Sequence, residues 1–227
     1  MKLLNLILPI LIISVVTCSA QRINFVSMGQ SVDGVPVMLE YTIDDDDIKI
    51  EGSPFLFDTW EKIQIKRDNG AYFEASSGNY HLYLNELIVN LDGNYRRLHE
   101  SRQIDWFQNG ERKFIRIKNE EKSGWQFGEL LVDTEKIQLL KLYNCFIQKG
   151  KPNQGIIEAT PDKYVHHQKY VVRQIDNPEI ATELKVKKKG GKLKEEEEFP
   201  ELVKFLKKHK SENFKEEENL KRILSEF

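Results

Sequence analysis

Few side chains in this sequence combine the type and the spacing that metal binding or catalysis requires. The run Asp44–Asp47 supplies four adjacent carboxylates, and Ca²⁺ is bound by several carboxylate oxygens. An EF-hand loop, however, has an acidic residue at its fifth position and glycine at its sixth, where this sequence has Ile48 and Lys49. The tract therefore predicts a solvated loop between strands and no calcium site.

The histidines do not have the spacing of a metal site. His166 and His167 are adjacent in a strand-like run, so their side chains should point to opposite faces of a sheet. His81, His99 and His209 are far apart in the sequence. We therefore predict no metal ion and no cofactor.

The candidate nucleophiles also lack partners. Cys145 lies in the apolar run 137–148, which predicts a buried and inert thiol. The G-x-S-x-G pattern of serine hydrolases does not occur, and Ser76 and Ser77 stand in a stretch that resembles a turn. Two carboxylates that meet only in space leave no local motif, so a secreted carboxylate-dependent hydrolase stays open as an alternative function.

The amino-terminal segment has the pattern of a secretory signal peptide. One lysine is followed by an apolar run over residues 3–16 and then by small residues. This run is shorter than the ~20 residues of a membrane-spanning helix. We expect cleavage after Ala20, which makes residues 1–20 the signal peptide and leaves an exported, periplasmic or secreted protein without a transmembrane span. Lipid anchoring at Cys18 is less favoured, because Thr17 stands where lipoprotein signals have a smaller residue.

Composition limits the architecture of the mature chain. Forty per cent of the 227 residues are hydrophobic, which is enough to bury a core in one domain. The formal net charge is −2, so no broad basic face is expected and nucleic acid is not an expected partner. With Cys18 in the signal peptide, Cys145 is the remaining cysteine and cannot form an internal disulfide. The fold must therefore depend on its hydrophobic core.

The segments that must position these side chains are mostly strands. Between residues 37 and 173 the sequence is a series of short runs rich in β-branched and aromatic residues. Turn sequences at 68–70, 92–93 and 109–110 supply residues that tolerate positive φ, as tight hairpins require. We predict a mainly β domain over residues 21–181, a curved antiparallel meander or open barrel.

The last part of the chain, residues 182–227, is rich in lysine and glutamate. A hairpin is predicted around Gly190 and Gly191, followed by two or three short helices packed on the same domain. Asn213 and Glu216 have the spacing of a capping box at the start of the last helix. The lysines between 185 and 194 form a basic cluster that could meet an anionic lipid headgroup or a polysaccharide. Four glutamates follow directly, however, and a solvated charged face is the prediction.

Several of these segments together resemble a family of exported proteins of Bacteroidota. The resemblance is carried by "GSPFL" at 52–56, the "NYHLYLNEL" segment and the closing "FLKKHK…FKEEENLKRI", and it covers residues 51–227. It implies a β meander with a charged helical carboxyl terminus. It implies no catalytic or ligand-binding residues.

Three functions remain compatible with the sequence. The first is a non-enzymatic binding or accessory protein of the cell envelope, in which an apolar ligand or protein partner contacts Trp106, Trp125, Phe107 and Tyr83. The second is the carboxylate-dependent hydrolase, which requires two acids in a cleft, one with a raised pKa. The third is a protein-interaction role through a sheet edge or an apolar patch.

Overall fold

The computed structural model describes residues 38–40, 50–91, 93–98, 103–119, 124–151 and 160–227. The predicted signal peptide and the Asp44–Asp47 tract lie outside these residues. The described chain forms a twelve-stranded antiparallel sheet and two carboxyl-terminal helices, which confirms the predicted fold class. The strands are β1 Met38–Glu40, β2 Glu61–Arg67, β3 Tyr72–His81, β4 Glu86–Leu91, β5 Asn94–Leu98, β6 Ile104–Asn109, β7 Arg112–Asn119, β8 Gly124–Asp133, β9 Ile137–Gln148, β10 Lys163–Gln174, β11 Ala181–Val186 and β12 Gly191–Leu193.

The sheet consists of two meanders that share β2. The order is β1-β5-β4-β3-β2-β6-β7-β8-β9-β10-β11-β12. The chain therefore runs outward from β2 to β5, returns to the other side of β2 as β6, and continues outward to β12. The predicted hairpin turns at 68–70 and 109–110 are present, with Gly70 at φ 84° and Gly110 at φ 58°, a backbone region that glycine adopts without strain. The predicted turn at 92–93 lies partly outside the described residues.

The interpretation of Ser76 and Ser77 as turn residues is wrong. Both lie inside β3, where Ser77 pairs with Asn90 of β4. Gly78, which follows them in the strand, is needed for packing: a Cβ atom there would lie 2.5 Å from Cγ2 of Ile63 on the neighbouring strand. Glycine in a strand can mark such a close approach as well as a turn.

A short segment before β2 shows how strongly the sheet curls. Glu51 makes two backbone hydrogen bonds of 2.8 Å to the residues on either side of Lys163, at the start of β10. Pro54 O accepts a bond of 2.9 Å from Leu82 N, just after β3. Six strand-to-strand steps separate β3 from β10, so the two strands would be about 29 Å apart in a flat sheet. Glu51 and Pro54, which bond to β10 and to the end of β3, are only three residues apart and can span at most about 11 Å. The sheet is therefore an open barrel, and residues 50–57, the clasp, bridge its sides.

Side chains alternate between two faces along β9, which pairs with β10 without a bulge. The odd-numbered residues lie on the face that also carries the helices, the helix face, and the even-numbered ones lie on the opposite face, the far face. Ile137 and Leu139 pack with the helices, while Cys145 and Ile147 pack with the clasp. The helix face therefore holds two apolar clusters, one at each end of β9.

The cluster near the clasp, which we call the clasp cluster, is filled by aromatic rings. Phe107 and Phe114 are fully buried and stack with centroids 4.6 Å apart. Phe127 meets Phe107 edge-on at 5.1 Å, and Phe57 of the clasp meets Phe114 at 5.6 Å. These contacts and the full burial of Phe107 and Phe114 are typical of a closely packed protein core.

The helices α1 Pro200–Lys208 and α2 Glu217–Ser225 cover the other cluster. Each helix buries one apolar face, through Leu202 and Leu206 of α1 and through Leu220, Ile223 and Leu224 of α2. The capping box is wrong, because α2 begins at Glu217 and Glu216 makes no side-chain cap bond. Asn213 instead accepts a hydrogen bond from Lys215 N in the loop before the helix, a local turn that asparagine forms readily.

Candidate functional site

Six polar side chains cross the helix face between its two apolar clusters. They are Arg112 of β7, Glu129 of β8, Lys141 and Tyr143 of β9, Tyr170 of β10 and Glu217 of α2, and we call them the ionic belt. The strand register places the middle of the belt in one row, because Lys141 is directly opposite Glu129 on one side and Tyr170 on the other. Residues opposite each other on antiparallel strands project from the same face.

Glu129 lies at the centre of the first half of the belt. Arg112 donates to both of its carboxylate oxygens, from Nε at 2.8 Å and Nη2 at 2.9 Å. The Tyr143 hydroxyl donates to Glu129 Oε2 at 2.5 Å. The guanidinium of Arg112 also lies 5.1 Å from the ring centroid of Phe57 and 5.2 Å from that of Phe114, which is within range of a cation–π interaction.

The second half of the belt attaches helix α2 to the sheet. Lys141 Nζ lies 2.6 Å from Oε2 of Glu217, and the Tyr170 hydroxyl donates to the same oxygen at 2.9 Å. The side chains of Lys141 and Glu217 are 14% and 29% exposed. This pair is therefore screened less than a surface ion pair.

The surroundings fix the protonation of these groups. Burial alone would raise the pKa of Glu129, but the hydrogen bonds from Arg112 and Tyr143 outweigh it and lower that pKa. Burial followed by the hydrogen bond to Glu129 raises the pKa of Tyr143. For Glu217, burial is likewise outweighed by the bonds from Lys141 and Tyr170, and its pKa is lowered. At neutral pH the belt therefore holds two ionised carboxylates.

A separate cleft of about 400 Å³ opens on the far face. Its apolar floor is formed by Ile117 of β7, Leu142 of β9 and Val171 of β10. The wall beyond β10 consists of the turn at 178–180 and the start of β11. Ligand sites usually combine such a floor with a few polar groups.

Charged side chains surround the mouth of the cleft in two groups. On one side, Lys118 Nζ and Glu179 Oε2 are 2.8 Å apart, with side chains 53% and 63% exposed. On the other side, Thr182 is buried and its hydroxyl is hydrogen-bonded to Glu195, which also lies 3.5 Å from Lys194. Exposed ion pairs contribute only about 0–1 kcal/mol each, so a charged ligand group can replace one partner at small cost.

The four residues predicted to contact a ligand lie in different surroundings. Phe107 is fully buried among the stacked rings of the helix face. Trp106, its neighbour in β6, packs against the far-face cluster that contains Ile117 and Leu142. Its ring lies 6.0 Å from Tyr72 and 5.2 Å from Lys113 Nζ. Adjacent residues in a strand point to opposite faces, so Trp106 and Phe107 do not share one surface.

The other two predicted residues lie away from the cleft floor. The guanidinium of Arg116 lies 4.8 Å from the ring centroid of Trp125. Tyr83 is 47% exposed in the turn between β3 and β4 and contacts the ring of Tyr164 at 6.2 Å. None of the four lines the far-face cleft. Ligand binding by these residues stays a prediction.

The residues weighed for metal binding and nucleophilic attack have structural surroundings. His166 and His167 lie in β10; a ring nitrogen of His166 is 2.7 Å from Ser53 O, and His167 packs on Phe146. Cys145 is buried in the clasp cluster. The described part of the chain contains no group of three or more His, Cys, Asp or Glu side chains that could hold a metal ion.

Sequence reasoning missed both the belt and the cleft. Their members come from four or more strands, and no two charged members of the belt are close in sequence. The available signal was the position of Lys141, a charged residue at an inward-facing position of the apolar run of β9. A charge on the buried face of a strand implies a partner on a neighbouring element.

No family model, no curated protein and no solved structure matches this chain. The resemblance to exported proteins of Bacteroidota thus stays a hypothesis. In the ranges that the structure describes, neither helix has the length and apolar character needed to cross a membrane.

Proposed function

We propose that this is an exported, non-enzymatic binding or accessory protein of the cell envelope. The resemblance to exported Bacteroidota proteins supports only the export. The observation that supports this most is the far-face cleft, with a buried apolar floor and exposed charges around its mouth. A ligand that fits is a small amphipathic molecule with an apolar body and at least one charged group. Trp106 packs on the same cluster of side chains as the cleft floor.

The alternative, a hydrolase that uses two carboxylates, has less support. Such an enzyme needs one carboxylic acid kept protonated near neutral pH by a raised pKa. Among the described carboxylates, every pKa that departs clearly from its ordinary value is lowered. These carboxylates are Glu129, Asp162, Glu195 and Glu217. These groups favour binding and bracing roles.

The cleft can be tested by filling it. Ala181 lines the cleft from β11, so an Ala181→Trp substitution should occupy much of its volume. Ser76→Trp is the matched control, because Ser76 is exposed on β3 and does not line the cleft. The probe is 1-anilinonaphthalene-8-sulfonate, an amphipathic anion, titrated by fluorescence into the native protein.

We expect saturable dye binding to the wild type, at least tenfold weaker binding to Ala181→Trp, and unchanged binding to Ser76→Trp. Thermal melting of each variant verifies that it is folded. Equal dye affinity of all three proteins would contradict a binding role for the cleft. Amino-terminal sequencing of the exported protein tests the location separately, with Gln21 as the expected first residue.

A further inference from the structure

The tip of the β11–β12 hairpin lies against the loop that joins the two helices. Gly190 N donates to Glu212 O at 2.8 Å, and Phe214 N donates to Lys187 O at 3.1 Å. The approach is close enough that a Cβ atom at Gly190 would lie 3.1 Å from Cα of Lys210. The fold therefore joins two segments that are about 20 residues apart in sequence.

Both segments are rich in lysine. The hairpin tip contributes Lys187, Lys188 and Lys189, and the end of α1 with the following loop contributes Lys207, Lys208, Lys210 and Lys215. We call these seven residues the lysine end. All seven are exposed, and within the described ranges none has a carboxylate partner. Glu212 of the same loop is paired instead with Arg222, at 3.6 Å.

The glutamates that neutralise this cluster in the sequence are held elsewhere in the structure. Glu195–Glu198 directly precede α1, whereas Lys207–Lys210 lie at its end. Seven helical residues, 200–206, separate the two groups, which corresponds to about 10 Å. The glutamates neutralise only the base of the hairpin, where Lys192 and Lys194 pair with Glu196 and Glu195 at 3.8 and 3.5 Å. The predicted neutral charged face is thus divided into an acidic and a basic part.

The composition of the lysine end indicates what it binds. It contains lysine and no arginine, and lysine is a mobile point charge without the planar fork that recognises a single phosphate or carboxylate. Among the residues that the structure describes, the exposed large hydrophobic ones are Tyr72, Tyr83, Leu84, Tyr95 and Phe146, none of which belongs to these segments. Base stacking and insertion into lipid both need such residues. The charges come from a turn and from a helix end with its following loop.

From this geometry we propose that the lysine end binds the anionic headgroup surface of a lipid bilayer, by electrostatic attraction and without insertion. Several basic side chains on one end of a protein attract it to an anionic leaflet, and salt weakens that attraction. The proposal is independent of the cleft. It would place the mature protein against the membrane with its hairpin tip and helix loop facing the lipid.

The test is sedimentation of the mature protein with vesicles at 100 mM NaCl. One set of vesicles contains only phosphatidylcholine and the other contains phosphatidylcholine and phosphatidylglycerol at three to one. The variant replaces Lys187, Lys188 and Lys189 by glutamine. The matched control makes the same charge change at Lys62, Lys136 and Lys163, which are exposed at other positions.

We expect wild-type binding only to the anionic vesicles, at least a tenfold loss of affinity for the hairpin variant, and a change below twofold for the control. Raising NaCl to 500 mM should release the wild type. Equal losses in variant and control would overturn the proposal, because only net charge would then matter. Binding to immobilised heparin without binding to anionic vesicles would also overturn it, in favour of an anionic polysaccharide.

Discussion

Replacing Glu129 by glutamine tests whether the ionic belt stabilises the fold. The Glu129 side chain is 13% exposed and accepts hydrogen bonds from Arg112 and Tyr143. Glutamine keeps the size of this side chain but removes its charge, and one of its two terminal atoms becomes a donor. Arg112 and Tyr143 would then lose most of their bonding to this position.

The expected loss follows from these contacts. A hydrogen bond to a charged group contributes about 1.5–3 kcal/mol when it is shielded from water. The Arg112 side chain is 38% exposed, so water can replace part of its bonding and the loss stays near the lower end. We therefore expect Glu129→Gln to lower the free energy of unfolding at pH 7 by about 2 kcal/mol.

Urea denaturation followed by tryptophan fluorescence measures this change as a lower midpoint with an unchanged slope. Glu135→Gln is the control, because Glu135 is exposed in the turn before β9 and should change the unfolding free energy by less than about 0.5 kcal/mol. The pKa of Glu129 in the fold is below its ordinary value of 4.5, so its stabilisation is complete above that pH and is lost as the pH falls through the lowered pKa. A wild-type advantage that stays constant from pH 7 to pH 3 would refute the ionic explanation.

Other positions give further expectations. Gly78→Ala should destabilise the fold by about 1–3 kcal/mol, because the added Cβ meets Ile63 at 2.5 Å. Gly70 has open space around it, so Gly70→Ala should cost about 1 kcal/mol from backbone strain alone. Equal thermal shifts for the two variants would contradict the packing argument. Cys145 is 5% exposed, so Ellman's reagent should label it slowly in the native protein and fully in urea; rapid native labelling would show that the clasp cluster opens. Glu217→Gln should raise hydrogen-exchange rates in α2 while β9 remains protected, and unchanged exchange in α2 would show that apolar contacts alone hold the helix.

Local sequence patterns were sufficient to predict most of the strands and both helices. Alternation, β-branched residues and turn glycines act over a few residues, so β9, β10 and the hairpin at Gly190 were predicted from their own segments. The β3 region was misjudged because Gly78 serves packing against Ile63. A glycine can serve a turn or the close packing of two strands, and the sequence around it looks the same in both cases. The neighbouring strand decides which role it has.

The belt and the cleft depend on register and curl, which no local pattern specifies. Glu129 meets Lys141 because β8 and β9 pair in one alignment, and Glu217 reaches the row only after α2 has docked on the sheet. The placement of the predicted ligand-contact residues depends on the fold in the same way, since Trp106 and Phe107 are neighbours in β6 and project to opposite faces. The sequence shows which charged and aromatic residues are present, but it does not show which of them are in contact across strands.

The clasp also determines an order of events during folding. Glu51 pairs with Lys163, about 110 residues later in the chain, so this contact cannot form until nearly the whole sheet is present. Closing so long a loop carries an entropic cost that only the finished core offsets. A chain that is synthesised amino terminus first would hold its clasp unpaired until β10 follows. Closure of the barrel is therefore expected to be a late step in folding, and a chaperone that acts on the unfinished protein would meet an exposed aromatic segment.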